Sequence, residues 1–462
     1  MSVIISIIIN LIFVNLCTCY LIFPFKTRLS QIPDTDKNLT ALFRSLVDNH
    51  IFIELNIGSP LQTIEMFLRS SSIDFYISEK NKSDARTSCP EPYIYDVGSD
   101  LSKFFDKYNS ASLEITKEGI NSYTTGELIG NISYDIIHFV NNNNEKIDQK
   151  MKFILYQSTE GYMPGVIGLE SILEQEEKKY NFVDQLKLND IINSYFWMIN
   201  YTSDYEGNFI IGEQPHILDP NYFDKDELSF TYPFLYDDFY DWGLSFSEIN
   251  FNDVNFRQFH DTSFNYELNY IKGNIDLEDQ LDIYFKESIL NQTCFKKDIS
   301  YPYRPNIFYY CKKDLYKDNV KYFPPLRFYQ YELNYTFELT YKDLFYEKDD
   351  KIILLIFFDE TKFDWRLGKP FLRKYSFLMN QDTKIIGFYK NKKKAENNNE
   401  NDNDNTIKIQ IILFILLVIC VFVLLIISGI FIGVYLFKKK RRSKYIIDED
   451  FDYTAKNDEV IN

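Results

Sequence analysis

The sequence has 462 residues, enough for two or three domains of ordinary size, and 45% of them are hydrophobic. The formal net charge of −17 excludes a protein that holds nucleic acid on a basic surface. With 16 Gly and 4 His the chain has no material for a Gly-rich phosphate loop or a multi-His metal site, so we predict no cofactor and no metal. The 41 Phe and 36 Tyr favour strands over helices.

The chain opens with an uncharged apolar run, Val3–Cys19. Such a run at the very start predicts a secretory signal peptide over residues 1–19, although the basic residue that usually precedes the run is absent. The alternative is an anchor helix that is not removed. A short segment, residues 20–49, separates this run from the main body.

Residues 50–390 read as a continuous globular ectodomain rich in strands. The clearest strand is "IFIELNIG", in which Ile51, Ile53, Leu55 and Ile57 alternate onto one face. Further strands are predicted at Asn208–Glu213, Gly243–Phe251 and Lys384–Lys390. One helix is predicted over Tyr180–Ile192, with its apolar residues Phe182, Leu186, Leu188 and Ile192 near one side.

The C-terminal part has the pattern of a membrane anchor. Residues 391–408 are polar and low in complexity, which predicts a flexible stalk. Residues 409–437 include an uncharged apolar run long enough to span a bilayer, and the basic run "KKKRRSK" opens the tail, residues 438–462. The positive-inside rule then predicts a single-pass type I protein whose N-terminal domain is lumenal or extracellular, at the cell surface or along the secretory pathway. A calmodulin- or lipid-binding role for the basic run is the alternative.

Two further features agree with a secreted ectodomain. Six N-x-[ST] sequons precede the membrane segment and are candidate glycosylation sites: Asn38, Asn81, Asn131, Asn200, Asn291 and Asn334. Cys294 and Cys311 lie close enough in sequence to bridge one loop in an oxidising compartment, which leaves Cys89 as a free thiol or an intermolecular partner.

Six segments, in the right order, resemble the pepsin-like aspartic peptidases. They are "IFIELNIGSPLQTIEMFL" (Ile51–Leu68), "YMPGVIGLE" (Tyr162–Glu170), "FVDQLKLNDIINSYFWMINY" with "GNFIIGE", "YDWGLSFSEINFNDVNF" (Tyr240–Phe256), the Cys294–Cys311 loop, and "WRLGKPFLRKYSFLMNQDTKIIGFYK" (Trp365–Lys390). The resemblance implies a mainly β, bilobal fold, with an N-lobe at residues 50–220, a C-lobe at 221–390 and a peptide cleft between them. The segment 20–49, which opens "YLIFPFK", resembles the start of that family's propeptides.

The resemblance also implies one Asp-Thr-Gly loop per lobe, whose two carboxylates share a proton and activate a water. In this sequence Leu68 stands at the first Asp position. Counting back from Gly273 places Asn265 at the second. Neither side chain can act as a general acid or base, so no catalytic residue is expected. At the position of the family's flap Tyr stands Lys117, or Tyr123 if the hairpin is longer.

Three functions remain open at this point. The first is a catalytically inactive pseudopeptidase, anchored through residues 409–437, that binds a peptide or protein ligand in the interlobe cleft. The second is an active aspartic endopeptidase with a non-standard dyad, in which Asp74 or Glu267 works with Asp261. The third is a glycosylated structural protein of the cell surface.

Overall fold

The computed structural model describes residues 20–28, 50–70, 72, 74–79, 104–121, 128–141, 144–156, 163–170, 181–233, 235–236, 239–240, 242–256, 259–298, 307–359 and 365–390. All of them fall within one compact unit of the chain, Met1–Lys393. The predicted signal peptide, stalk, membrane segment and cytoplasmic tail lie outside the described residues. Among the residues that are described, no helix is both long and apolar enough to cross a membrane.

The described part of the chain is mainly β, as the aromatic composition predicted. Its strands up to residue 240 are β1 Leu21–Arg28, β2 His50–Ile57, β3 Gln62–Arg69, β4 Phe75–Ser78, β5 Glu114–Asn121, β6 Leu128–Val140, β7 Lys146–Tyr156, β8 Gly165–Gly168, β9 Phe196–Tyr201, β10 Glu206–Ile211, β11 Leu228–Thr231, β12 Leu235–Tyr236 and β13 Phe239–Tyr240. The strands that follow are β14 Ser245–Phe246, β15 Glu248–Phe251, β16 Val254–Phe256, β17 His260–Phe264, β18 Ile271–Lys272, β19 Cys294–Asp298, β20 Ile307–Lys312, β21 Leu326–Gln330, β22 Tyr335–Leu339, β23 Phe345–Lys348, β24 Lys351–Phe358, β25 Trp365–Leu367, β26 Phe377–Asn380 and β27 Ile385–Tyr389.

The helices are few and mostly short. They are α1 Phe182–Leu188, α2 Pro215–Leu218, α3 Ile275–Leu290, α4 Lys313–Tyr316, α5 Tyr341–Leu344 and α6 Lys369–Leu372. Single 3₁₀ turns form at Lys107–Asn109, Lys225–Glu227 and Val320–Tyr322.

Local sequence pattern accounts for the first strand of the ectodomain. The four residues predicted on one face of β2, namely Ile51, Ile53, Leu55 and Ile57, are each at most 1% exposed. Alternation places them on one side of the pleat, where their burial stabilises the fold by about 1.5–3 kcal/mol each. The other face carries Phe52, which packs against Phe67 of β3.

The predicted helix is present but shorter than its pattern indicated. It begins after Asn181, whose side chain accepts hydrogen bonds from the N–H groups of Val183 and Asp184, an N-cap arrangement. It ends at Leu188, which is 65% exposed rather than buried. Ile192 is buried as expected, although it lies beyond the helix end.

Thirteen of the described strands pair in one sheet, in the order β11-β27-β26-β9-β10-β1-β2-β3-β8-β4-β7-β6-β5. An eight-stranded sheet built around β24 and β25 and a four-stranded sheet, β16-β15-β21-β22, organise most of the second half. Strand β26 pairs with β9 in the large sheet. Strands from both sides of residue 220, the predicted lobe boundary, therefore contribute to the same sheet.

Strand β1 lies within the segment 20–49, which resembles a propeptide, and it is an internal member of the large sheet. It pairs antiparallel with β10 on one side and with β2 on the other. Its residues Leu21 and Phe25 are each 1% exposed, and the Phe25 ring meets Tyr201 edge to face. This part of the segment is consequently a structural component of the described body.

The disulfide predicted between Cys294 and Cys311 is present. The two residues face each other directly in the antiparallel pair β19–β20, which accounts for their close approach. Both side chains are buried, so the bridge joins the two strands of this hairpin within the core.

Candidate active site

Two loops, one from each predicted lobe, contact each other. The first loop lies between Leu68 of β3 and Phe75 of β4 and begins with Arg69, the last residue of β3; its described residues are 69, 70, 72 and 74. The second loop, residues 265–270, joins β17 to β18. Strand β8 lies between β3 and β4, parallel to the first and antiparallel to the second. Strand β25 lies between β17 and β18 in the same manner. In each lobe, the two strands that flank the loop therefore pair with opposite sides of one intervening strand.

Strand registers align the two halves residue by residue. Leu68 and Phe75 both pair with Ile167, and these two residues flank the first loop. Phe264 and Ile271 both pair with Leu367, and they flank a second loop of equal length. The counterpart of Leu68 in the second half is therefore Phe264, and Asn265 is the counterpart of Arg69.

An ion pair joins the two loops. The Arg69 guanidinium donates from Nε to Glu267 Oε2 at 3.1 Å, and Nη2 lies 3.1 Å from the same oxygen. The Glu267 side chain is 19% exposed and that of Arg69 is 35% exposed, so the pair is partly shielded from water. Because of the remaining exposure, the pair stabilises the contact by only about 1 kcal/mol.

A second contact lies beside the ion pair. Ser70 Oγ accepts a hydrogen bond at 3.2 Å from the backbone N–H of Tyr266. Ser70 is 9% exposed, and the ring of Tyr266 is packed against Trp197. Full burial raises the pKa of Tyr266 far above its usual range, so this phenol stays neutral and serves as core.

Two buried tryptophans, Trp197 and Trp242, pack next to the loops. The Trp242 indole N–H donates to the Leu169 carbonyl at 2.7 Å, immediately after β8. The Leu169 N–H in turn donates to the Arg69 carbonyl at 2.8 Å. Trp197 meets Trp242 edge to face. Through Trp242, the C-lobe therefore contacts the end of β8, the strand that pairs with both strands flanking the first loop.

Tyr76 completes the group around Arg69. Burial raises the pKa of Tyr76, while the adjacent Arg69 opposes that rise through its charge and a hydrogen bond. The carboxylates of Asp74 and Glu267 act in the same direction as burial. The junction thus combines one guanidinium, two carboxylates and a phenol. The counterpart positions Leu68 and Phe264 carry no carboxyl group.

The sequence profile of one family, eukaryotic aspartyl protease, matches residues 50–391. This chain belongs to that family. None of the curated proteins matches the sequence significantly.

Within this family member, the positions predicted from the resemblance are not ionisable. Leu68 is 2% exposed and part of the apolar core. The Asn265 amide oxygen accepts a hydrogen bond from the N–H of Glu267 at 2.9 Å, so Asn265 shapes the second loop. By strand register the second position falls on Phe264, which is buried against Phe377. Whether the second position is assigned to Asn265 or to Phe264, the residue at that position carries no carboxyl group.

Glu267 and Asp261, two residues of the alternative dyad, have different partners, and Asp74 has a backbone role in the first loop. Glu267 is paired with Arg69. Asp261 lies at the exposed start of β17, where it accepts a hydrogen bond from Ser245 Oγ at 2.5 Å. The Asp74 carbonyl accepts from the Gly168 N–H at 2.8 Å, which holds the backbone of the first loop.

The predicted flap is a hairpin of β5 and β6. Lys117 lies exposed on β5, where the register of the pair is irregular between Ile115 and Gly119. The other flap candidate, Tyr123, lies outside the described residues.

The sequons differ in their surroundings. Asn291 and Asn334 are exposed, Asn131 is half-buried on β6, and Asn200 is 8% exposed and accepts a hydrogen bond from Ser376 Oγ at 3.0 Å. Asn38, Asn81 and Cys89 lie outside the described residues. Glycosylation at the six sites stays a prediction.

The Arg69–Glu267 ion pair was not predicted from the sequence. A clue was present in the sequence: Arg69 and Glu267 stand in the two expected loops at positions where the family has small or hydroxylated residues. Which cation pairs with which anion can be decided only when the register of both loops is known.

Proposed function

We propose that this protein is a catalytically inactive member of the aspartyl protease family that binds a peptide or protein partner between its two halves. The observation that carries the proposal is the Arg69–Glu267 ion pair at the meeting point of the loops, next to Leu68 and Phe264. Peptide hydrolysis by this family requires two carboxylates that share a proton and polarise a water. Glu267 instead faces a guanidinium.

The chemistry of the junction supports recognition of an extended chain. Arg69, Glu267 and Asp74 offer both donors and acceptors, and Tyr76 and Tyr156 add aromatic surface with their ring centroids 4.7 Å apart. Grooves that combine apolar walls with a few placed polar groups are typical peptide sites.

We further infer a type I membrane anchor. The support is the apolar run within residues 409–437 followed by the basic run 438–444. Alkaline carbonate extraction of membranes from expressing cells tests this inference. The full chain should stay in the membrane pellet, whereas a chain ending at residue 405 should be released.

The decisive experiment measures cleavage of a mixed peptide pool by the full chain in detergent, from about pH 3 to 7, with and without pepstatin. This range brackets the titration of paired carboxylates. We expect no pepstatin-sensitive cleavage, with an active pepsin-like enzyme as the positive control. Pepstatin-sensitive cleavage that Asp261→Ala or Glu267→Gln abolishes would establish the endopeptidase alternative.

Binding is tested separately with a displayed peptide library and the folded chain. We expect enriched peptides whose binding weakens in an Arg69→Met, Glu267→Gln double variant and is unchanged in Arg327→Met, which removes an exposed cation from β21. Absence of any enriched peptide would favour the third possibility, a glycosylated surface protein that uses the fold as a scaffold.

A further inference from the structure

A pocket lies beside the second loop, and neither Arg69 nor Glu267 lines it. It is a recess open to solvent, and it is lined mainly by apolar atoms. Its lining includes Asp204, Tyr205, Asn269, Tyr346, Lys369 and Arg373.

Lys369 is the unusual residue of this pocket. It is only 9% exposed, and its Nζ lies 4.9 Å from the centroid of the Tyr205 ring, a cation–π contact. Among the described residues, Lys369 has no carboxylate within ion-pair distance. A buried ammonium without such a partner is costly.

The neighbouring cations are already paired. Arg373 forms an ion pair with Asp204, and Lys374 Nζ lies 2.8 Å from Asp343 Oδ2. The charged lining residues Asp204, Asp343, Lys369 and Arg373 sum to zero, but Lys369 is the one of them that forms no ion pair with a described residue. A ligand carboxylate would supply an ion-pair partner for the Lys369 ammonium.

The backbone fixes Lys369 in this position. The Lys369 N–H donates to the Leu268 carbonyl of the second loop at 2.8 Å, and the residue begins α6 directly after Gly368. Close packing of Gly368 against the second loop leaves the chain little freedom here. The ammonium is therefore presented by a rigid support, which favours binding by reducing the entropy lost.

The pKa of Lys369 is consistent with a buried ammonium that forms no ion pair with a described residue. Burial lowers the pKa of Lys369 to about 8, with Asp204 opposing the shift and Arg373 adding to it. At neutral pH the amine is still mostly protonated. A carboxylate beside it would raise that pKa again and gain a charge-assisted hydrogen bond.

We propose that this pocket binds a small carboxylate with an apolar body, whose carboxyl group pairs with Lys369 Nζ while Tyr205, Tyr346, Leu355 and Pro370 enclose the apolar part. The carboxyl group belongs either to a free organic acid or to the end of a peptide. Both sources offer the same carboxylate group to Lys369, and the two probes described below distinguish them.

The experiment uses the full chain in lipid nanodiscs and isothermal titration. The probes are phenylacetate for a free acid and N-acetylphenylalanine for a peptide terminus, each with its neutral amide as the matched control. We expect at least one acid to bind at least 10-fold more tightly than its amide. The tighter acid identifies the source.

Variants assign the effect to Lys369. Lys369→Met keeps the apolar stem and should weaken acid binding at least 10-fold, and Lys369→Arg should retain most of it. Lys150→Met, which removes an exposed cation from β7 and touches no residue of the lining, should leave it unchanged. Thermal unfolding of each variant verifies the fold. Equal binding of acid and amide, undiminished binding by Lys369→Met, or no binding of either acid would overturn the proposal.

The pH dependence supplies an independent readout. Asp204, Asp343, Arg373 and Tyr346 also face the pocket, so the comparison is between the wild type and Lys369→Met at each pH. The advantage of the wild type for the acid should be largest near pH 7 and should diminish as the pH rises through about 8. A constant advantage from pH 7 to 10 would contradict the pairing with an ammonium.

Discussion

Ser70 and Tyr266 connect the two loops through a hydrogen bond of 3.2 Å between the Ser70 hydroxyl and the Tyr266 backbone N–H. The contact spans 196 residues of sequence and lies beside the Arg69–Glu267 ion pair. A serine hydroxyl at this point supplies an acceptor for a buried backbone N–H. The two loops are therefore held together by polar contacts of their own, independent of any catalytic carboxyl.

The ion pair between the loops should be measurable as a coupling energy. A double-mutant cycle with Arg69→Met and Glu267→Gln should give about 1 kcal/mol in urea unfolding, because both side chains are partly shielded from water. The matched control is Arg327 with Glu338, whose side chains are 48% and 41% exposed. That pair should couple by less than about 0.5 kcal/mol. Equal couplings for the two pairs would contradict the shielding argument.

Gly368→Ala should destabilise the protein by about 2–4 kcal/mol, measured by urea unfolding. A Cβ at this position would meet the carbonyl oxygens of Leu268 and Tyr270, the former at 2.6 Å, and backbone atoms of a packed loop cannot yield easily. Gly387→Ala is the control, because its Cβ would meet side-chain atoms at 3.0 Å or more. It should lose less than about 1.5 kcal/mol. A Gly368→Ala chain as stable as the control would show that the second loop can move aside.

Strand β1 should be required for stability, although it lies in the segment 20–49. Phe25→Ala should lower the free energy of unfolding by about 3–5 kcal/mol, because Phe25 is 1% exposed and packs on Tyr201. Ile22→Ala, at a position 44% exposed, should change it by less than about 1 kcal/mol. A chain beginning at His50 should unfold at a markedly lower temperature. An unchanged midpoint would mean that β1 is dispensable, as a removable propeptide requires.

His138 should respond to Asp148 in a pH titration. Burial opposes protonation of His138, but the hydrogen bonds to Asp148 at 2.7 Å and to the Gly58 carbonyl at 3.0 Å outweigh it and raise its pKa. Because its folded-state pKa lies above the unfolded value of 6.5, this contribution to stability is fully present below pH 6.5. It is lost as the pH rises through the folded-state pKa.

Histidine NMR titration checks this prediction. Asp148→Asn should lower the pKa of His138, and it should leave His260, whose pKa is lowered by burial, unchanged. If the His138 pKa stayed the same in Asp148→Asn, the carboxylate could not be the cause of the shift.

By itself, the sequence determined the strand-rich architecture, the Cys294–Cys311 bridge and the absence of ionisable side chains at Leu68 and Asn265. These features depend on composition, on alternation with a period of two, or on the identity of a single residue, all of which are local. The same local reasoning overextended the helix after Asn181, because burial of Leu188 depends on where α1 ends against the rest of the fold.

Only the tertiary structure decided that Arg69 pairs with Glu267, that Phe264 is the counterpart of Leu68, that β1 belongs to the large sheet, and that Lys369 lines a pocket with Tyr205. Each of these relationships joins residues far apart in sequence. A register error of one residue, such as that between Phe264 and Asn265, moves a side chain to the opposite face of a strand. Because contacts of this kind depend on strand order and register across the whole sheet, no local pattern specifies them.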